Sequence, residues 1–237
     1  MQLVLVVTAL VLGVLVALVA SLVLGHAVWG AIVAPRRRRL LDRTRAAVLE
    51  SLDGTPAGAA ATSLGRLPQD LRIRVLGELA ANLGGAGREQ LTALAREVGL
   101  LDAAEALCRS RRWWRRLRGV RLLTMLGGGE SVVPPLLRDP EPAVRAQAAE
   151  WAADHPLPQV TEALLALLGD PTSLCRAAVQ DSLLRMGARA AEPLARYLES
   201  ASGIGCEGAL EVAAGSPDTR FLRPALTLAG DSSPRLR

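Results

Sequence analysis

The sequence predicts an all-α protein: a single N-terminal transmembrane helix followed by an α-solenoid of helical hairpins. Three observations carry that prediction. From Leu3 to Gly25 there is no charged side chain and almost every residue is apolar. Aromatic residues make up only 3% of the chain, so the core must be built from Leu, Val and Ala. That composition suits packed helices better than a β-sandwich. Finally, an Asp-containing turn recurs with a period near 30 residues, as expected of a two-helix repeat.

Residues 1–34 read as the anchor. A bilayer core needs about 20 apolar residues in a helix, and this run supplies them. Only Met1 and Gln2 precede it, whereas six arginines lie between Arg36 and Arg45. Arg36, Arg37, Arg38 and Arg39 read as stop-transfer charges. Positive flanks stay in the cytoplasm, so the reading is a single pass through a cell inner membrane, N-terminus outside and C-terminal domain cytoplasmic. A cleaved signal peptide fits poorly, because the basic end is on the wrong side and the apolar core is too long. Ala9, Gly13, Ala17, Ser21 and Gly25 recur every four residues. Small residues at that spacing let two helix backbones approach, giving a packing face for a second copy or a membrane protein partner. The common occurrence of Ala and Gly in membrane helices explains the ladder equally well.

Residues 35–62 read as a basic juxtamembrane helix, LLDRTRAAVLESL, running into a linker, with TPAGAAATS (55–63) its best candidate. Residues 63–110 read as an irregular helical cap, with Pro68 able to open a helix that ends near Gly84 and Gly85. Two shorter helices, REQLTALAREVGL and DAAEALCRS, follow and would cover the first repeat's apolar face.

Residues 111–237 carry the repeat. Asp139 in LLRDPEPAVR aligns with Asp170 in LLGDPTSLCR, 31 residues later, and further steps of 30 and 31 reach Ser200 and Asp231. Six residues beyond each stand Arg145, Arg176, Cys206 and Arg237, and a step of about 30 back from Arg145 reaches Arg115. Each Asp-Pro closes one helix and opens a turn, and Gly127 and Gly187 end second helices. The predicted repeat helices are 113–126, 131–138, 142–154, 157–168, 172–186, 189–199, 204–214 and 218–229. The last repeat is incomplete, which reads as a truncation of a longer repeat protein.

The spacing at Asp139, Val144 and Arg145, and again at Asp170, Cys175 and Arg176, resembles the HEAT repeat, including its short bacterial form, the PBS-lyase type. In that family the turn Asp and the next helix's Arg form a ladder between neighbouring repeats. The resemblance therefore assigns a structural ladder to Asp139, Arg145, Asp170, Arg176, Asp231 and Arg237, with a missing rung at Ser200 and Cys206. The chain is also similar to membrane-anchored HEAT-repeat proteins of bacteria, some of which accompany membrane glycosyltransferases. That resemblance implies a membrane-tethered protein–protein interaction scaffold or adaptor at the inner face of a bacterial membrane.

Other constellations add little chemistry. The segment SRRWWRRLRGVR holds six arginines, and Arg109 just before it makes seven between Arg109 and Arg121. Arg112, Trp113, Trp114 and Arg116 are its candidate contacts for a partner or the lipid bilayer, although one packed helix with solvated arginines is an equal reading. Gly203, Gly205 and Gly208 spell G-x-G-x-x-G, but a dinucleotide fingerprint needs a preceding strand and PLARYLESAS reads as helix. All 28 basic residues are Arg, a sign of base composition that also leaves no lysine for phosphate-loop or Schiff-base chemistry. His26 falls in the anchor and His155 in a loop. Cys108, Cys175 and Cys206 are far apart and read as small buried hydrophobes. The sequence thus predicts no enzyme, no cofactor, no metal and no nucleic-acid partner. Two alternatives remain: a HEAT-like enzyme or nucleic-acid module of the DNA glycosylase or bilin lyase kind, and a membrane organiser forming a homo-oligomer through the small-residue ladder.

Overall fold

A computed structural model describes residues 2–28, 34–52 and 58–229. Among these there are helices and turns and no β-strand. The chain divides into two compact units, Met1–Pro68 and Gln69–Arg237.

The first unit contains α1 (Gln2–Val28), α2 (Ala34–Leu52) and α3 (Gly58–Gly65). The expectation of a membrane span is corrected here: among the described residues no helix is long and apolar enough to cross a membrane. The side chains of α1 are described without a break only from 12 to 25. The single-pass inner-membrane localisation falls with the span, as does the stop-transfer role of the arginines. Arg38 and Arg39 are exposed on α2, while the side chains of Arg36 and Arg37 lie outside the described set. On the small-residue ladder, Ala17 and Ser21 are exposed, Gly13 and Gly25 face open space, and the side chain of Ala9 is not described.

The described part of the stretch expected to be a linker, 58–63, is helical instead. Residues 58–65 form α3, with Ala60 and Leu64 buried, and α3 packs on α2. An alanine run has the highest intrinsic helix propensity, and Leu64 gives it an apolar contact to bury.

The second unit opens with α4 (Gln69–Ala80), α5 (Gly85–Glu97) and α6 (Leu100–Cys108). α6 lies along α7 (Trp113–Leu126). Their close crossing requires Gly119: a Cβ there would lie 2.7 Å from both the Ala104 carbonyl oxygen and Cys108 Sγ. After α7 come α8 (Pro142–Ala152), α9 (Pro158–Ala166), α10 (Ser173–Met186), α11 (Ala188–Ser200), α12 (Gly203–Ala214) and α13 (Leu222–Ala229). α7, α8, α10 and α12 pack successively on one another as one layer, and α9, α11 and α13 do the same as the other. Between the layers lie Val120, Leu123, Val144, Trp151, Val179, Leu183 and Leu194, all essentially inaccessible to solvent.

One predicted repeat helix is absent. Residues 131–138 begin as a turn and contain only a short 3-10 segment, Pro134–Arg138. Pro134 and Pro135 stand side by side, and proline lacks the N–H that a continuing helix needs. Ahead of them Gly127, Gly128 and Gly129 all take positive φ, between 79° and 90°, a backbone path that L side chains rarely follow.

Candidate functional site

The joints between second helices rest on two buried ion pairs of one design. Asp139 closes its turn by accepting the Glu141 N–H at 2.9 Å, and Asp170 likewise accepts from Thr172 N at 2.8 Å and Thr172 Oγ1 at 2.6 Å. The same carboxylates face the preceding second helix. Arg145 donates to both Asp170 oxygens, from Nε at 2.7 Å and Nη2 at 3.0 Å, and its Nη1 donates to the carbonyls of Asp139 and Pro140. Arg116 repeats the pattern one unit earlier, with Nε and Nη2 on Asp139 at 2.6 and 2.7 Å and Nη1 on the carbonyls of Ser110 and Arg111. Arg176 keeps only the main-chain half, donating Nη1 to the Asp170 carbonyl at 2.7 Å. The next turn offers Ser200 rather than a carboxylate. Asp231 and Arg237 lie outside the described residues.

The electrostatics follow from this geometry. Burial opposes ionisation of Asp170, but the hydrogen bonds from Arg145 and from the Thr172 hydroxyl and N–H overcome it, holding its carboxyl well below the usual carboxylate range. The carboxylate hydrogen bonds raise the pKa values of Arg116 and Arg145 in turn. Arg116 therefore belongs to the ladder, which corrects its assignment as a surface contact. The step between units here is 29 residues, from Ser110 to Asp139, so the register residue is Arg116 and not Arg115.

The other predicted contacts stay outside. Trp113 and Trp114 are 46% and 45% exposed. The guanidinium carbons of Arg112 and Arg115 lie 5.8 and 5.1 Å from the Trp114 ring centroid, within cation–π range. Arg111, Arg112, Arg115 and Arg118 are exposed and make no ion pair among the described residues. A shallow cleft of about 490 Å³ opens between this helix start and the next turn, walled by Arg111, Arg112, Trp113, Trp114, Pro140 and Glu141.

Repeat register extends this patch into a row. Two residues before the ladder position stand Trp114 on α7, Ala143 on α8, Leu174 on α10 and Ile204 on α12. Leu174 and Ile204 are 59% and 51% exposed. Seven residues further on, two helical turns along the same face, stand Arg121, Glu150, Asp181 and Glu211, all exposed. Arg121 donates to Gln147 and Gln147 to Glu150, while Gln180 reaches across to Glu211. The outer face of the second helices thus carries an apolar row beside a polar row, basic at α7 and acidic from α8 onward.

Sequence reasoning missed two features that stiffen this scaffold. Trp151 is buried, donates Nε1–H to the Gly128 carbonyl at 2.8 Å, and stacks on His155 with centroids 3.9 Å apart. Asp154 bridges Arg88 and Arg185 at 3.5 and 3.4 Å. A lone Trp in an alanine-rich helix, opposite a glycine run, was the available signal for the first. No sequence signal marks the second, since its three residues are far apart. The G-x-G-x-x-G stretch opens α12 and follows a helix, and a Cβ at Gly205 would meet the Tyr197 hydroxyl and one at Gly208 would crowd Gln180 and Leu168. Those glycines serve close helix packing. Among the described residues no group of three His, Cys, Asp or Glu could hold a metal ion, and the three cysteines are buried and form no disulfide.

Comparison with known proteins finds a family similarity for part of the repeat region. No curated protein matches the chain. Among solved structures, the crystal structure of an engineered protein is similar at 15% identity, covering 82% of this chain and 92% of that one, with a TM-score of 0.41. Residues 129–213 match the family profile described as HEAT repeats, a span that runs from before α8 almost to the end of α12 and includes the pairing of Arg145 with Asp170: this part of the chain is similar to HEAT repeats.

Proposed function

We propose that the second unit is a protein-binding scaffold, with a partner lying across the outer face of α7, α8, α10 and α12. HEAT repeats stack into extended surfaces suited to protein–protein interaction. The observation that carries the reading is the exposed row of Trp114, Leu174 and Ile204, which holds one register on three helices of a single layer. Isolated surface apolar residues need no explanation, but an aligned set rimmed by polar groups marks an interaction site. The polar row beside it supplies the hydrogen-bonding rim that interfaces commonly have.

The test is crosslinking in cells with the intact chain against a Leu174→Glu, Ile204→Glu variant. Both side chains are exposed, so the variant should keep its far-UV circular dichroism and melting temperature. The scaffold reading expects a defined crosslinked protein that the variant loses. Identical crosslinking patterns from the two proteins would refute it.

A nucleic-acid-binding module is the second reading, favoured by one observation: the cleft at α7 places a carboxylate, Glu141, beside two tryptophans and three arginines. The acidic groups of the same face, Glu150, Asp181, Glu207 and Glu211, oppose a phosphate backbone running along it.

A further inference from the structure

Resting on the scaffold reading, and narrowing it to one end of the face, we infer that the cleft at the start of α7 docks an acidic peptide segment with an apolar anchor. The first argument is charge. Arg111, Arg112, Arg115 and Arg118 lie within a few residues of one another and find no carboxylate partner among the described residues, whereas Arg109 is paired with Glu105 and Arg116 with Asp139. Arginines left over beside paired ones form a local excess of positive charge that a carboxylate-rich segment would neutralise, in bidentate geometry where the fork is free.

The second argument is shape and rigidity. Trp113 and Trp114 begin a helix whose next turn is pinned by Arg116, with four hydrogen bonds to Asp139, Ser110 and Arg111. Trp114 is flanked by two guanidinium groups. The rings are thus held half-exposed on a fixed backbone, and aromatic and arginine side chains of this kind are the usual anchors of protein interfaces. A cleft of about 490 Å³ has room for one large apolar side chain and its neighbours.

The third argument concerns direction and exclusion. The face turns acidic beyond α7, at Glu150, Asp181, Glu207 and Glu211. A uniformly charged polyanion longer than a few units would run from attraction into repulsion. A peptide can change character along its length, with carboxylates over α7 and apolar or basic residues over Leu174 and Ile204. Glu141, on the far wall of the cleft, keeps acidic residues toward the α7 side and so sets the register of the bound segment.

The test uses the full chain and a fluorescein-labelled ten-residue peptide of alternating Glu and Leu, read by fluorescence anisotropy. Its Gln-for-Glu counterpart and a labelled single-stranded DNA of the same length serve as comparisons. Expected are saturable binding of the Glu peptide that weakens with added salt, and at least a tenfold loss of affinity in an Arg112→Glu, Arg115→Glu variant with an unchanged melting temperature. Leu174→Glu should leave this short peptide's affinity within twofold, because it touches only the α7 end. The inference is overturned by absence of saturable binding, by equal affinity for the Gln peptide, by an unaffected arginine variant, or by tighter binding of the DNA. A failure here with the crosslinked partner still lost on Leu174→Glu, Ile204→Glu substitution would sink the acidic-peptide inference and leave the scaffold standing.

Discussion

Replacing Asp170 by Asn tests the physical basis of the repeat stack. The Asp170 side chain is 3% exposed and that of Arg145 12% exposed. Asp170 accepts four hydrogen bonds, two from Arg145 and two from Thr172. Asn has one acceptor oxygen, so it can keep the turn with Thr172 but must present its NH₂ group to part of the guanidinium fork. Arg145 is left as a largely buried cation without a counter-charge. Breaking a buried pair in this way costs about 3–5 kcal/mol, and the residual solvent contact of Arg145 places the expectation near 3 kcal/mol. For a unit of this size that corresponds to roughly 6–12 °C in melting temperature.

Urea unfolding followed by circular dichroism gives the total loss, and segment-resolved hydrogen exchange shows where it falls. Neighbour-only contacts in a repeat stack concentrate the effect in α8 and α10 and spare α4. The pH dependence has a defined sign. The carboxyl of Asp170 titrates lower in the folded chain than in the unfolded one. Its contribution is therefore complete above the unfolded carboxylate range, near pH 4, and is lost as pH falls through the folded value. The gap between wild type and Asp170→Asn should accordingly narrow on acidification below about pH 4. A loss under about 1 kcal/mol, set against that buried-pair cost, or faster exchange spread evenly over the unit, would refute the reasoning.

Two further predictions follow from packing. Gly119→Ala introduces a Cβ 2.7 Å from the Ala104 carbonyl oxygen and Cys108 Sγ; overpacking of this kind costs about 1–3 kcal/mol, measured as a lower urea midpoint, and an unchanged midpoint would show that α6 and α7 can part without cost. Burial pushes the thiols of Cys108 and Cys175 up to about 11. Near pH 7 roughly one thiol in ten thousand is then ionised, and only the thiolate reacts. Iodoacetamide should leave both cysteines unmodified in the folded protein and alkylate them in urea, as read by mass spectrometry; rapid labelling of the folded protein would contradict their burial.

The repeat was legible because it is written in local chemistry. Asp-Pro turns at 139 and 170, the Arg six residues on, and glycines at 127 and 187 each act through their own backbone or a close neighbour, and the all-helical character and most boundaries from α7 to α13 follow from them. The prolines at 134 and 135 were also visible, but their effect depended on the positive-φ glycine run ahead of them, so a predicted helix became a turn and a 3-10 segment. Residues 55–63 were read as the best linker candidate; from Gly58 on they belong to α3, whose apolar residues pack on α2.

The site was less legible. A 29-residue step at the first repeat placed Arg116, and not its neighbour, opposite Asp139, and a sequence period averaged near 30 residues cannot resolve one position. The apolar row of Trp114, Leu174 and Ile204 becomes visible only once that register is fixed. The membrane span read from α1 is not upheld: among the described residues no helix is long and apolar enough to cross a membrane.

By itself, the sequence determined what each residue can do with its own backbone and nearest turn: helices of Leu and Ala, Asp closing a turn, Gly ending a helix. Tertiary structure alone decided which charge met which. The choice of Arg116 for Asp139 and the burial of Trp151 against Gly128 depend on residues distant in the chain being brought within about 3 Å of one another, where hydrogen bonding is sharply distance-dependent.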